Sequence, residues 1–149
     1  MASSSQRRLD ALQRQVSTDS KGTSRADDDV VIVSAKRTPV CKAKRGSFRE
    51  TTPDTLLQAV LNAVIQEAHL RPENVGDICV GNVLQPGGGA IMARMAQLSA
   101  GLPYSVPLSS TNRQCASGLQ AIMNIAGGIR MGAYDIGIGC GVESMSFNR

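Results

Sequence analysis

Residues 112–130 read Asn-Arg-Gln-Cys-Ala-Ser-Gly-Leu-Gln-Ala-Ile-Met-Asn-Ile-Ala-Gly-Gly-Ile-Arg, and the rest of the chain is best interpreted around them. From Gln114 to Ile129 this stretch holds no charged residue. Its apolar residues recur at helical spacing, which predicts a helix that is buried on most of its sides. The residues that carry this spacing are Leu119, Ile122, Ala126 and Ile129.

Cys115 stands at the start of the predicted helix, shortly after a β-type run, Val106-Pro-Leu-Ser-Ser-Thr111. This order places Cys115 at a turn from strand to helix, beside the unpaired N–H groups of the first helical turn. Such a position stabilises a thiolate, the nucleophilic form of cysteine, and the same N–H groups can hold an oxyanion. Most free cysteines are instead small buried apolar residues, and position alone leaves both interpretations open.

The sequence around Cys115, Asn-Arg-Gln-Cys-Ala-Ser-Gly-Leu-Gln-Ala, closely resembles the nucleophile motif of the thiolases. In that motif the equivalent cysteine takes up the acyl group. Three further segments are similar to thiolase sequences at corresponding places: Lys36-Arg-Thr-Pro39, Gly81-Asn-Val83 and Gly141-Val-Glu-Ser-Met-Ser146. The resemblance covers about residues 29–149 and is greatest to the peroxisomal 3-ketoacyl-CoA thiolases.

The resemblance implies an acyltransferase of fatty-acid β-oxidation that cleaves 3-ketoacyl-CoA. Cys115 would attack the keto carbon, acetyl-CoA would leave, and a second coenzyme A would take the acyl group from sulfur. The backbone N–H of Cys115 would join the oxyanion hole, and Arg113 and Gln114 would support the turn. Coenzyme A is then a substrate, and no cofactor is expected. A homodimer is implied for the complete enzyme, and acetoacetyl-CoA formation, the reverse reaction, stays open.

Predicted strands and helices alternate after residue 28 in the order β-α-β-α-β-α-β, which is typical of an open, mostly parallel α/β sheet covered by helices. The strands are expected at residues 30–35, 77–84, 106–111 and 134–142, the last rich in glycine so that a neighbour can pack closely. The first helix is expected from Thr52 to near Leu70, started by Thr52-Pro-Asp54.

The helix that follows Cys115 is too uncharged to leave a face in water, so residues 29–149 are expected to form part of a larger arrangement. The resemblance implies that this part is an incomplete, N-terminal half of the thiolase fold. Thiolases use two later motifs as base and acid, a Gly-His-Pro and the segment of a second catalytic cysteine, and the sequence contains neither motif. We therefore expect the chain alone to be inactive. The alternative from another functional class is a non-catalytic module that pairs with full-length subunits.

Composition excludes several other classes of protein. Hydrophobic residues make up 42% of the chain but never form a run long enough for a membrane span. Residues 1–49 hold 11 of the 16 Lys and Arg residues, and aromatic residues are only 3%, so a nucleic-acid partner is not expected. The four cysteines form no C-x-x-C pair, which argues against a metal site. The single histidine, His69, suits a helix C-terminus and leaves Cys115 without an evident base.

Residues 1–28 are polar and are expected to form a flexible extension that carries a targeting signal. Arg8, Leu9, Gln15 and Val16 have the arrangement Arg-Leu, five residues, Gln, apolar, which resembles the N-terminal peroxisomal targeting nonapeptide. This segment departs from that nonapeptide at two positions: Val16 stands where Leu is usual, and Gln15 stands where His is commoner. The segment predicts a peroxisomal location and an import receptor as partner; a mitochondrial transit peptide and a tail without a signal are the alternatives.

Overall fold

Six helices and strands follow one another along residues 29–147, the part of the chain that the computed structural model describes. They are α1 (Pro53–Glu67), β1 (Asp77–Gly81), α2 (Ala90–Ser99), β2 (Leu108–Thr111), α3 (Ser117–Arg130) and β3 (Gly137–Gly141). Short 3₁₀ turns at Pro72–Asn74 and Pro86–Gly89 precede β1 and α2. None of the described helices is long and apolar enough to cross a bilayer. The proposed signal at Arg8, Leu9, Gln15 and Val16 lies outside the described residues.

The three strands form one parallel sheet in the order β2-β1-β3. Ile78 of β1 is in register with Leu108 of β2 and with Ile138 of β3. The prediction of a parallel α/β sheet is therefore confirmed. Because parallel strands run the same way, the C-terminal ends of all three lie at one edge, where the chain leaves β2 toward Cys115.

Helices α1 and α2 cover one face of the sheet. Helix α1 begins as its sequence predicts, with Thr52 extended at the N-cap and Pro53 in the first turn, but it ends at Glu67, before Leu70. Alternate residues of β1, Ile78 and Val80, point into this layer and are fully buried. The cluster that they join consists of Leu57, Leu61, Val75, Ile78, Val80, Ala93, Ala96, Leu102 and Val106.

Helix α3 covers the opposite face and lies unusually close to the strands. The buried hydrophobic residues of this face are Cys79, Ala121 and Ile125. A Cβ atom built on Gly81 would lie 2.4 Å from the carbonyl carbon of Ser117, and one built on Gly139 would lie 2.6 Å from the Cα of Ile122. Only glycine allows this separation, so the predicted close packing on the glycine-rich strand is confirmed.

The prediction that α3 is buried on most sides is wrong for this chain. The helix buries Ser117, Ala121 and Ile125, while Leu119, in the stripe expected to be inside, is 63% exposed. Ile122 and Met123 are exposed as well. The physical reason is that α3 packs through its small residues, and no other described element lies over its outer face.

The strand predicted at residues 30–35 is also not observed. Residues 29–42 form no regular structure, and Val33 is 77% exposed. The segment is tied instead to the end of α1, where Lys36 Nζ lies 2.6 Å from a carboxylate oxygen of Glu67. A cavity of about 1110 Å³ lies between it and β3. A β-branched run is stable as a central strand only when both its faces are covered, and here they are not.

Candidate active site

Cys115 lies in a tight turn between β2 and α3, as the sequence predicts, and its side chain is exposed. The preceding residue, Gln114, has a left-handed backbone with φ of 53°, which is uncommon for a residue with a side chain. Ser117 holds this turn from below: its Oγ accepts from the N–H of Arg113 at 2.9 Å and donates to the carbonyl of Gln114 at 2.6 Å. Buried Ser117 therefore fixes where Cys115 points.

Asn112 supports the same turn from the strand side. Its Oδ1 accepts a hydrogen bond from the N–H of Gln114 at 3.0 Å, and its Nδ2 donates to the carbonyl of Val83 at 3.4 Å. The guanidinium of Arg113 donates to the side chain of Gln120 on α3. Arg113 and Gln114 thus belong to the support of the turn, which is the role that the sequence suggested for them.

A cavity of about 510 Å³ opens beside Cys115 at the C-terminal edge of the sheet. It is formed by the turn, the first residues of α3 and the segments that follow β1 and β3. Its lining residues are Gly81, Asn82, Val83, Leu84, Gln114, Cys115, Ser117, Gly118, Gly141, Val142, Glu143 and Met145. A volume of this size accommodates a small organic molecule or part of a larger one.

Side chains replace strand pairing where β1 and β3 end. Asn82 is almost fully buried, donates from Nδ2 to the carbonyl of Val142 at 2.7 Å, and accepts at Oδ1 from the N–H of Gln85 at 3.0 Å. Glu143 Oε2 accepts from the N–H of Val83 at 2.9 Å and of Leu84 at 3.2 Å. The floor of the cavity is therefore held by side-chain bonds to the backbone.

The other cysteines differ sharply from Cys115. Cys79 is buried against α3, where the Nδ2 of Asn124 lies 3.6 Å from its sulfur. The thiol of Cys140 packs against the core on the opposite face and lies 3.6 Å from the carbonyl of Cys79. Burial, with a smaller contribution from Cys79, raises the pKa of Cys140 to about 12. Neither Cys79 nor Cys140 is placed to act as a nucleophile.

No histidine stands near Cys115. His69, the single histidine of the sequence, lies just after α1 with a left-handed backbone, φ of 50°, and does not line the cavity. Residues 36–49, which hold six Lys and Arg residues and no acidic residue, do not line it either. Among the lining residues the one titratable side chain besides Cys115 is Glu143, which is already engaged by two backbone N–H groups.

Sequence reasoning gave no role to Asn82, Asn112, Ser117 or Glu143, which build the site around Cys115. A signal existed, because Asn82 and Glu143 lie in two of the segments that resemble thiolase sequences. Their roles depend on contacts between segments about 60 positions apart, such as that of Asn82 with Val142, and no local pattern encodes such contacts.

Comparison with known proteins agrees with this geometry. The family described as "Thiolase, N-terminal domain" matches residues 30–149. The human peroxisomal 3-ketoacyl-CoA thiolase is 65% identical over 118 residues, which cover 79% of this chain and 28% of the human protein. The peroxisomal 3-ketoacyl-CoA thiolase 1 of Arabidopsis thaliana is 57% identical over 122 residues, with 81% and 28% covered. The chain thus spans less than a third of these relatives.

Solved structures are similar too. The dimeric peroxisomal thiolase of Saccharomyces cerevisiae superposes with a TM-score of 0.79 at 40% identity, covering 84% of this chain and 33% of the yeast chain. The acetyl-CoA acetyltransferase of Bacillus anthracis gives a TM-score of 0.76 at 35% identity, covering 81% and 30%. The similarity therefore extends over nearly all of the described residues.

Proposed function

This chain belongs to the thiolase family, and on that premise we propose that it carries the acyl-accepting nucleophile of a 3-ketoacyl-CoA thiolase. The single observation that supports this most directly is the position of Cys115. It is an exposed cysteine at the mouth of a 510 Å³ cavity, held by a turn of constrained geometry at the start of a helix. A nucleophile requires exposure and a fixed direction, and the turn supplies both.

The reaction proposed for the complete enzyme divides one difficult step into two. The Cys115 thiol gives up its proton and attacks the keto carbon of a 3-ketoacyl-CoA. The bond between that carbon and C2 breaks, and the carbanion left on C2 takes up a proton to leave as acetyl-CoA. The thiolate of a second coenzyme A then attacks the acyl-cysteine and releases the shortened acyl-CoA and the free thiol. The backbone N–H of Cys115 is proposed to stabilise the oxyanion in the acyl-transfer half.

The described residues supply the nucleophile but no base for it. A general base must lie within about 3 Å of the proton that it takes, and His69 does not reach the cavity. Positioned proton transfer is worth about 10²–10⁴ in rate. We therefore propose that the 149-residue chain by itself accepts an acyl group slowly and does not turn over 3-ketoacyl-CoA.

Acetyl-CoA tests this proposal without requiring turnover. The purified chain is incubated with acetyl-CoA, and the acetylated cysteines are mapped by mass spectrometry. Acetyl transfer should favour Cys115 over Cys41, a half-buried free cysteine outside the cavity. The matched control is Cys115→Ala, in which cysteine acetylation should fall to the level of Cys41. Equal modification of Cys41 and Cys115 would contradict the proposed role.

A second assay addresses the chain alone. With acetoacetyl-CoA and coenzyme A as substrates, we expect no sustained acetyl-CoA release. Turnover that disappears in Cys115→Ala would contradict the proposed lack of a base in this chain. The reverse direction, acetoacetyl-CoA formation, is the second candidate, favoured by the similarity to a bacterial acetyl-CoA acetyltransferase. Comparing rates in the two directions in a complete enzyme separates these activities.

We also propose a peroxisomal location and a homodimeric complete enzyme. The location is supported by the peroxisomal relatives and the resemblance at Arg8, Leu9, Gln15 and Val16 to a targeting sequence. Homodimerisation is supported by the dimeric yeast thiolase. A fluorescent protein fused to residues 1–28 should enter peroxisomes and bind their import receptor. It should remain outside after Arg8→Ala with Leu9→Ala, whereas mitochondrial import would favour the alternative.

A non-catalytic role stays the third candidate. The observation that favours it is the outer face of α3, where Leu119, Ile122 and Met123 are exposed together. Apolar surface of this kind is typical of an interface, and a full-length subunit is the partner proposed for it. Size-exclusion chromatography with and without a full-length thiolase would detect such pairing. A chain that pairs but fails to accept acetyl groups at Cys115 would support this role.

A further inference from the structure

Glu143 is the acidic residue of the Cys115 cavity, and one of its oxygens binds two successive backbone groups. Oε2 accepts from the N–H of Val83 at 2.9 Å and from the N–H of Leu84 at 3.2 Å. Both N–H groups lie just past the end of β1, where strand pairing has stopped. A carboxylate that accepts from backbone N–H groups makes hydrogen bonds about twice as strong as neutral ones. Glu143 therefore fixes the 83–84 segment against the end of β3.

The same segment is connected to the turn that presents Cys115. The carbonyl of Val83 accepts from Nδ2 of Asn112 at 3.4 Å, and Oδ1 of Asn112 accepts from the N–H of Gln114 at 3.0 Å. Asn112 thus bonds on one side to the segment held by Glu143 and on the other to the residue before Cys115. Gln114 adopts a left-handed backbone, which persists only where neighbouring contacts hold it.

We propose that Glu143 is a positioning residue for Cys115. Its carboxylate holds the 83–84 segment, and this segment, through Asn112, keeps the Gln114 turn in the geometry that directs the sulfur into the cavity beside the N-terminus of α3. The inference rests on the proposed function, because it assigns Glu143 a part in preparing the nucleophile. It makes no use of Glu143 as an acid or a base.

Charge and hydrogen bonding predict opposite effects at this site, which makes the proposal testable. Removing a negative charge near Cys115 favours the thiolate and should speed its alkylation. Removing the hydrogen-bond acceptor loosens the turn and should slow alkylation. Glu143→Ala removes both, whereas Glu143→Gln removes only the charge, since its Oε1 can still accept from Val83 and Leu84. Greater access cannot explain a change, because Cys115 is already exposed.

The experiment measures iodoacetamide labelling of each cysteine at neutral pH by peptide mapping in the 149-residue chain. Glu143→Ala should slow the labelling of Cys115 about two- to fivefold, because the interaction of an exposed charge with a helix N-terminus is worth a factor of about this size. In Glu143→Gln, Cys115 should be labelled at the rate of the unsubstituted chain or slightly faster. The matched control is Glu67→Ala, which removes an equal charge bound by Lys36 and Ser34 away from the cavity and should leave Cys115 unaffected.

Labelling of buried Cys79 reports unfolding in the same samples. The proposal holds if Glu143→Ala slows Cys115 while Cys79 stays protected. It is overturned if the labelling rate of Cys115 does not change in Glu143→Ala, or if Glu143→Gln slows that labelling as much as Glu143→Ala does. It is also overturned if Cys79 becomes as reactive as Cys115 in Glu143→Ala, because Glu143 would then serve stability alone. If Cys115 reacts no faster than Cys41 in the unsubstituted chain, the proposed function itself is contradicted. If Cys115 is reactive but its rate does not change in Glu143→Ala, only the positioning role is contradicted.

Discussion

The two faces of the sheet are built on different principles. The face under α1 and α2 is a conventional core, in which large aliphatic residues such as Leu57, Leu61 and Ile78 are almost completely buried. The hydrophobic cluster under α3 consists of only three buried residues, Cys79, Ala121 and Ile125, and this face depends on glycine for contact. Stability is therefore concentrated on the first face. The second face carries Cys115 at its edge and leaves the outer side of α3 open.

This difference indicates how the fold serves the site. A helix in direct contact with the glycines of two strands cannot move closer to the sheet. The distance between its first turn and the C-terminal edge of the sheet is therefore fixed. Cys115 precedes that turn by two residues, and its direction follows from the contact between Ser117 and Gly81. The large core holds the sheet rigid, and the close contact transfers that rigidity to the cysteine.

The largest effect expected from this contrast is in cysteine chemistry. An ordinary exposed cysteine holds about 10³-fold more thiolate at pH 7 than a thiol whose pKa is about 12, as for Cys140. Brief iodoacetamide treatment should therefore label Cys115 and leave Cys79 and Cys140 unmodified, by peptide mapping. Equal labelling of the three cysteines would mean that the turn at Cys115 is not formed or gives its cysteine no special reactivity.

Shortening one side chain under α1 and one on the outer face of α3 should change the free energy of unfolding by different amounts. Leu61→Ala removes a fully buried side chain and should lower the free energy of unfolding by about 2–5 kcal/mol. Leu119→Ala removes one that is 63% exposed and should change it by roughly 0.5 kcal/mol or less. Urea denaturation of both variants measures the difference. Similar losses would imply that the outer face of α3 is covered in solution.

Glycine substitutions examine the close contact itself. Gly139→Ala places a Cβ 2.6 Å from the Cα of Ile122 and should cost about 1–3 kcal/mol or more, because backbone must move. Gly127→Ala, on α3 with nothing within 4 Å of the new Cβ, should instead stabilise the chain by about 1 kcal/mol. Thermal unfolding of the pair decides the matter. A neutral Gly139→Ala would show that α3 is not pressed onto the sheet.

The last effect appears only at alkaline pH. The pKa of Cys140 is raised from an ordinary value of 9.0 to about 12, so its neutral form stabilises the fold below pH 9, and this stabilisation is lost as pH rises toward 12. The free energy of unfolding should fall by about 1.4 kcal/mol per pH unit above pH 9 from this group. Urea unfolding of Cys140→Ala should show a shallower decline; parallel curves would contradict the assignment.

Several features of the fold and the site could be predicted from local sequence. The cap and proline at Thr52 and Pro53 located the start of α1, and the order of strand, turn and helix placed Cys115 where the structure has it. The glycines of β3 predicted a close neighbour. These signals are local, because caps, turns and periodicity depend on residues only a few positions apart.

Tertiary structure alone decided the remainder. The run at residues 30–35 has the composition of a central strand, yet a strand also needs a partner edge and two covered faces, and in the structure it has neither. The stripe on α3 shows helical spacing, but which face is buried depends on the glycines of distant strands. The tie from Glu143 to Val83 and Leu84 joins the ends of two strands. A sequence encodes which contacts are possible, and only packing between distant segments selects those that form.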